Sequence, residues 1–324
     1  NILQGSSIQN QIIKLGFWPG GDRDGNPFVT TEITIKVADR LRTSILKCYY
    51  REMRNLKRKL TFFEVDVLVA ELEYKLYRSV FYSKGEIYIT LEEFKSQLNK
   101  IRIILIERNQ SLYLDELEAL LIKVNLFGFH FASLDIRQNS KIHDAVFKDV
   151  VQYYLNSNST VFPANYFELT ESEKFEILSN VKGDIDSNVF DNEITRLTIE
   201  SIQAIKQIQE NNGESGANRY IISNNESALN VMETFALFKL NNWDTLSVDI
   251  IPLFESVDDL QNAHAIMEKL YTNPAYVEHL ANRNYKQTIM LGFSDGTKDG
   301  GYLMANWSIY KAKEELTAMS RKYG

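Results

Sequence analysis

Ser247-Val248-Asp249-Ile250-Ile251-Pro252-Leu253-Phe254, followed directly by Glu255-Ser256-Val257-Asp258-Asp259, is the stretch that decides the fold. An apolar run of strand length stops at a carboxylate. Ser256 with Asp259 three residues on is a capping box, so a helix is expected to open there. The same grammar recurs at Phe127 to Ile136, at Arg219 to Ser223 (with Ser223 and Glu226 as the expected capping box) and at Gln287 to Phe293. Each run leads into a helical pattern. Strand, short turn and helix in repetition predict parallel βα units.

Working outward, an earlier apolar run from Ile12 to Trp18 leads into Gly20-Gly21-Asp22-Arg23-Asp24-Gly25-Asn26-Pro27. Between it and Phe127 the rhythm is helical. Amphipathic patterns cover about Glu32 to Leu60, Phe63 to Tyr82, Leu91 to Glu107 and Leu114 to Val124. Thr90 with Glu93 predicts a capping box for the third. Polar stretches at Asn156 to Thr160 and Asn211 to Asn218 read as surface loops. The expectation is one heavily decorated α/β barrel domain over residues 1–324. A helical insertion would occupy about 30–126, and βα units about 10–28 and 127–324.

Composition narrows the function classes. The 324 residues are 44% hydrophobic and 24% charged with a net charge of -7, which fits a globular chain and argues against nucleic-acid binding. Arg40, Arg42, Lys47, Arg51, Arg54, Lys57, Arg58 and Lys59 crowd one helix, where they read as a solvated face. Leu41, Ile45, Cys48 and Met53 are the apolar positions between them. Cys48, the single cysteine, is therefore expected in the core, and a chain without disulfides suits a cytoplasmic location. The most apolar run, Leu121 to Leu134, is interrupted by Lys123 and Asn125 and is too short for a membrane span. No signal peptide is evident at Asn1 to Gln4.

Charges interrupt the strand ends. Asp135 and Arg137 close one run, Glu255 ends another, Asp295 follows the last, and the Gly20 to Pro27 loop follows the first. In a parallel barrel such ends converge on the face where active sites are built. Only His130, His143, His264 and His279 are present, so a His/Cys zinc site is not expected. His130 reads as a core histidine inside a strand; His264 and His279 read as helical residues. Glu255 and Asp295 suit a hard cation, Mg²⁺ or Mn²⁺, and Arg137 offers a fork for carboxylate or phosphate. An anionic substrate with developing oxyanion charge is the chemistry this pattern fits.

These motifs resemble a known family. Gly20 to Pro27 matches the Gly-Gly-Asp-Arg-Asp-Gly-Asn-Pro signature of phosphoenolpyruvate carboxylases without a mismatch. Leu134-Asp135-Ile136-Arg137-Gln138, Pro252-Leu253-Phe254-Glu255 and Ser294-Asp295-Gly296-Thr297-Lys298-Asp299-Gly300-Gly301 are similar to three further elements, in the family's order. The resemblance implies a (β/α)8 TIM-type barrel with many extra helices, of which this chain holds part. It implies that Glu255 and Asp295 are metal ligands for Mg²⁺ or Mn²⁺, that Arg137 and Lys298 are catalytic, and that Arg137 and Arg23 contact substrate. Asp22, Asp24, Asn26 and Asp299 share the motifs without an assigned role. Asn139, Asn224 and Tyr302 depart from the usual pattern.

In the family's reaction, bicarbonate attacks the phosphate of phosphoenolpyruvate. This gives carboxyphosphate and pyruvate enolate; carboxyphosphate breaks down to phosphate and carbon dioxide, which the enolate captures to form oxaloacetate. Phosphoenolpyruvate and bicarbonate are thus the implied partners, along with a homo-oligomer, tetrameric in full-length members. The family's His-Pro-Thr motif and Gly-Arg-Gly-Gly loop do not occur here, so little turnover is expected of this chain alone. Two rivals remain, another metal-enolate lyase of barrel fold and a catalytically dead binding or assembly domain of the same ancestry. The first has no reason to carry Gly20 to Pro27, and the second none to keep Glu255, Asp295 and Arg137.

Overall fold

The computed structural model describes residues 13–26, 28–82, 88–157 and 159–324. Ile12, Pro27 and Asn158, on which parts of the sequence reading fall, lie outside them, as does the N-terminus. Two compact units emerge. One, here the helical unit, takes in Ile35–Leu134, Gln207–Gly216 and the described residues up to Phe17. The other, the βα unit, comprises Trp18–Thr34, Asp135–Lys206 and Ala217–Gly324.

In chain order the helices are α1 (Thr31–Lys57), α2 (Val65–Phe81), α3 (Leu91–Arg108), α4 (Leu114–Phe127), α5 (Ser140–Asn156), α6 (Glu171–Asn180), α7 (Glu193–Asn212), α8 (Ala228–Leu240), α9 (Val257–Tyr271), α10 (Pro274–Asn282) and α11 (Ser294–Tyr323). The strands are β1 (Gly16–Phe17), β2 (Ser133–Asn139), β3 (Arg219–Ser223), β4 (Asp249–Phe254) and β5 (Met290–Leu291). All pair in parallel, in the linear order β1-β2-β3-β4-β5. The first two residues of β2 pair with β1 and its last five with β3. This is an α/β chain rich in helix, with part of a parallel barrel's sheet.

In the helical unit, α1 to α4 bury one apolar cluster. Tyr49, Met53, Leu60, Val69, Leu76, Phe94, Leu98, Leu105, Leu120 and Val124 are all essentially inaccessible. Each such side chain contributes roughly 1.5–3 kcal/mol on leaving water. The Tyr49 hydroxyl, drawn inside with its ring, donates to the Gly128 carbonyl at 2.8 Å and so is not left unpaired. Cys48 is exposed, contrary to the core position expected of it, because the buried stripe of α1 runs through Ile45, Tyr49 and Met53. The Thr90 capping box is half made. Thr90 accepts from the Glu93 N–H at 3.1 Å, but the Glu93 carboxylate is taken by Lys75 at 2.6 Å.

In the βα unit, β3 and β4 are buried almost throughout, as expected where both faces of a parallel sheet are covered. Ile221, Ile251 and Leu253 with Met290 pack on one face. On the other, Tyr220 meets Phe238 of α8 edge to face at 5.2 Å. The Ser256–Asp259 capping box is present as expected. The Ser223–Glu226 box is not. Ser227 and Asn230 make it instead, because the chain turns at Asn224 and α8 starts only at Ala228. β2 begins at Ser133, where a strand from Phe127 was expected. α4 continues to Phe127 and Gly128 (φ 50°) ends it. His130 consequently lies in a turn, half-buried.

Candidate functional site

Most candidate residues of the βα unit lie near the C-terminal end of a strand or in the segment that follows it, and four of them, Glu255, Asp295, Asp24 and Arg137, interact electrostatically. Glu255 follows β4. Asp295 sits in the first turn of α11, two residues past Gly292-Phe293, which follow β5. The Glu255 carboxyl is pushed up from its ordinary range by burial, then by the charges of Asp295 and Asp24. The Asn224 N–H and the charge of Arg137 pull it down. Glu255, Asp295, Asp24 and Arg137 therefore share one field. Gly292 makes the approach feasible, since a Cβ there would come within 3.1 Å of Glu255 Cγ and 3.2 Å of its Cα.

Arg137 lies within β2, two residues before its end. Its Nε donates to Asp22 Oδ1 at 2.7 Å, an Nη faces Asp24 Oδ2 at 3.4 Å, and its Cζ lies 5.1 Å from the Trp18 ring. The loop is docked by its main chain as well. The Arg23 N–H donates to the Arg137 carbonyl, and the Arg137 N–H donates to Gly21, both at 3.0 Å. Gly20 (φ 87°) supplies the left-handed turn that starts this approach. Asp22 also accepts from the Asp24 N–H at 3.2 Å, and Asn26 accepts from the Phe28 N–H at 3.1 Å. These two residues hold the loop's shape.

Arg23 points the other way. Its Nη atoms donate to the Leu197 carbonyl at 3.2 Å and to the hydroxyls of Thr31 and Thr34 at 3.4 and 3.3 Å. Burial lowers its pKa, although Tyr220 and Glu200 act to raise it. It lines a cavity of about 600 Å³ with Asp24, Asn26, Gln138, Asn139 and Thr198. Asn139 serves two partners there. Its Oδ1 caps α5 by accepting from the Lys141 N–H at 3.0 Å, and its Nδ2 donates to Asp24 at 3.3 Å.

Lys298 is paired with Asp295 at 2.6 Å, one helical turn apart, and both are exposed. Asp299 caps its neighbour, accepting from the Val257 N–H of α9 at 3.0 Å. Asp135, a strand charge in the sequence, is internal to the sheet. It receives the Trp18 indole N–H at 2.9 Å and faces Arg219 at 2.6 Å. Burial raises its carboxyl, and those two partners offset the rise. Trp18, Arg219 and Asn224 are participants that sequence reasoning missed. Only the Asn224-Asn225 pair after a strand carried a signal, that of a left-handed turn.

Among the described residues no group of three or more His, Cys, Asp or Glu side chains is arranged to hold a metal. The candidate set is the Glu255 and Asp295 pair. Its chemistry fits a hard divalent cation, which takes few protein carboxylates and completes its shell with water and substrate oxygens. A cation there would also relieve the repulsion that Glu255 receives from Asp295 and Asp24, the smaller part of a rise owed first to burial. An exposed Lys298–Asp295 pair is weak and readily exchanged.

A family model described as phosphoenolpyruvate carboxylase matches residues 1–79 and 70–324. The chain belongs to the phosphoenolpyruvate carboxylase family. It is 31% identical to the phosphoenolpyruvate carboxylase of Nitrosomonas eutropha over 362 aligned positions, covering 97% of this chain and 38% of that protein. Identity to the Nitrosomonas europaea phosphoenolpyruvate carboxylase is 30% with the same coverage. The chain thus spans 38% of the length of these curated relatives of the family. No helix among the described residues is long and apolar enough to cross a membrane.

Proposed function

We propose that these residues supply the metal-binding and part of the substrate-binding machinery of a phosphoenolpyruvate carboxylase, which joins bicarbonate to phosphoenolpyruvate and yields oxaloacetate and phosphate. The carrying observation is the shared field at the strand ends. Two carboxylates that follow neighbouring strands, Glu255 after β4 and Asp295 after β5, interact with one another, and Arg137 lies within electrostatic reach of Glu255. Family membership supports the same reading. The proposed frame is a (β/α)8 barrel to which this chain contributes five parallel strands. A cytoplasmic homo-oligomer is the proposed setting.

Glu255 and Asp295 would hold Mg²⁺ or Mn²⁺. The cation supplies Lewis-acid stabilisation of the enolate oxygen, an effect of several kcal/mol. Arg137 binds the substrate's anionic group. Asp22 and Asp24 engage one edge of its guanidinium, and Trp18 fixes its plane, so the remaining N–H groups are pre-oriented for phosphate. Lys298 pairs with Asp295 when the carboxylate is otherwise unshared and turns to the substrate side when it is not. Arg23, lining the adjacent cavity, is the second anion contact and braces the loop that carries Asp22 and Asp24. Asn26 and Asp299 keep the loop and the start of α9 in place.

Calorimetric titration with Mn²⁺, with and without phosphoenolpyruvate, tests the assignment. The expected result is binding by the native chain that weakens at least about 10-fold in Glu255→Ala and in Asp295→Ala. Equal affinity in all three proteins would remove the metal assignment.

A further inference from the structure

The carboxylate that heads the candidate metal pair is held by main chain. Glu255 Oε2 accepts a 2.6 Å hydrogen bond from the backbone N–H of Asn224. Asn224 is the first residue after β3, and its φ of 50° lies in the left-handed region. Asparagine enters that region at small cost, whereas a β-branched residue there is a steric outlier. The turn is then fixed from several sides. Buried Ser140, the first residue of α5, donates its hydroxyl to the Asn224 carbonyl. Asn224 Nδ2 donates to Glu226 Oε1 at 2.9 Å, and Glu226 faces Lys141 at 3.6 Å. The Asn225 N–H reaches the Leu253 carbonyl, on β4 itself, at 3.1 Å. The residue that donates to Glu255 is thereby tied to α5 through its own carbonyl, and to the strand Glu255 leaves through the N–H that follows it.

We infer that Asn224 is a positioning residue: its left-handed turn aims its N–H at Glu255 and sets the carboxylate plane for the divalent cation, with Ser140 locking the turn through the Asn224 carbonyl. The inference rests on the assignment of Glu255 as a metal ligand. A carboxylate with one oxygen fixed by a rigid donor presents the other oxygen in a single orientation. Hydrogen-bond partners of ligating carboxylates typically govern metal affinity by about 10- to 100-fold.

The test is Mn²⁺ affinity and the bound-Mn²⁺ paramagnetic resonance spectrum for the native protein, Asn224→Gly, Asn224→Val, Ser140→Ala and Glu255→Ala, with thermal unfolding recorded for each. Glycine keeps both the left-handed φ and the N–H. Asn224→Gly should therefore bind within about 3-fold of native with an unchanged spectrum, far inside the range such partners command. Asn224→Val should weaken binding about 10- to 100-fold with an altered spectrum, and Ser140→Ala about 10-fold. If Asn224→Val does not fold, Ser140→Ala decides. Native affinity and spectrum in Ser140→Ala and in any folded Asn224→Val, alongside loss of binding in Glu255→Ala, would overturn the positioning role alone. Native affinity in Glu255→Ala, or no binding by the native protein, would overturn the metal assignment and this inference with it.

Discussion

The two units bury their cores in similar ways and differ in their most buried ion pairs. In the helical unit the ion pairs lie on the outside. Lys59–Glu116 at 2.8 Å, Arg102–Glu118 at 2.9 Å and Lys123–Glu52 at 2.5 Å all join side chains that stay well exposed. Beneath them lies a cluster of aliphatic and aromatic groups whose rings interlock, Phe94 meeting Tyr49 at 5.7 Å and Phe129 at 6.0 Å. The βα unit has exposed pairs too, such as Lys298–Asp295, but three of its pairs are drawn in. Arg137 pairs with Asp22, Asp135 with Arg219 and Arg283 with Asp249, with side chains from 8% to 29% exposed. Such groups are costly to desolvate and, once paired, strongly destabilising to orphan. Of these three pairs only Arg137 with Asp22 belongs to the candidate site, which also holds the perturbed carboxyl of Glu255.

The largest effect should come from the helical unit. Phe94→Ala removes a fully buried ring and should cost about 3–5 kcal/mol. Amide exchange would show it as a loss of protection across α1 to α4 of roughly 150- to 5000-fold. The loss should be the same at pH 6 and pH 8, because no charge is involved. A strongly pH-dependent loss would break the comparison.

Apolar periodicity made the helical unit legible, with α1 to α4 expected within a few residues of where they lie. In the βα unit the strands and the βα order were legible for the same reason, along with the Ser256 box. What the sequence hid was geometry created by the turns. Asp135 and Arg137 look alike as charges two residues apart, yet one joins a structural pair with Arg219 and the other faces the site. Strand alternation puts both on one face, where Trp18 touches each, so only the ion partners, Arg219 for Asp135 and Asp22 for Arg137, tell them apart. Arg23 is similar. Its place in a signature suggested a substrate contact, while its hydrogen bonds to Leu197, Thr31 and Thr34 depend on chain far away or on the next helix.

A middle-sized effect separates the units by pH. Glu233 of α8 is buried, and burial raises its carboxyl to about 8. Asp144 adds to the rise, while Lys148 of α5 and Lys174 of α6 oppose it. The folded βα unit therefore holds a proton that the unfolded chain releases near its ordinary value of 4.5. This contribution is fully present below about 4.5 and is lost as pH rises toward 8. Between pH 6 and 8 the stability should fall by roughly 2–3 kcal/mol. Glu233→Gln should remove that slope in a denaturant series, and an unchanged slope would show that Glu233 is already ionised in the fold.

The smallest effect tests the other half of the comparison. Lys59 and Glu116 meet at 2.8 Å with their side chains 44% and 43% exposed. The Lys59 ammonium also lies 5.8 Å from the Tyr113 ring. By distance alone this pair matches Arg219 with Asp135, at 2.6 Å, whose carboxylate side is only 8% exposed. Water and salt screen the first pair and not the second. Lys59→Ala should therefore cost less than about 1 kcal/mol, and that cost should vanish in 1 M salt. Arg219→Ala, which strands a buried carboxylate, should cost about 3–5 kcal/mol and keep most of it in salt. If the two substitutions behaved alike, exposure would not be what separates the units, and the charges of the strand ends would need another explanation than a site that shields them.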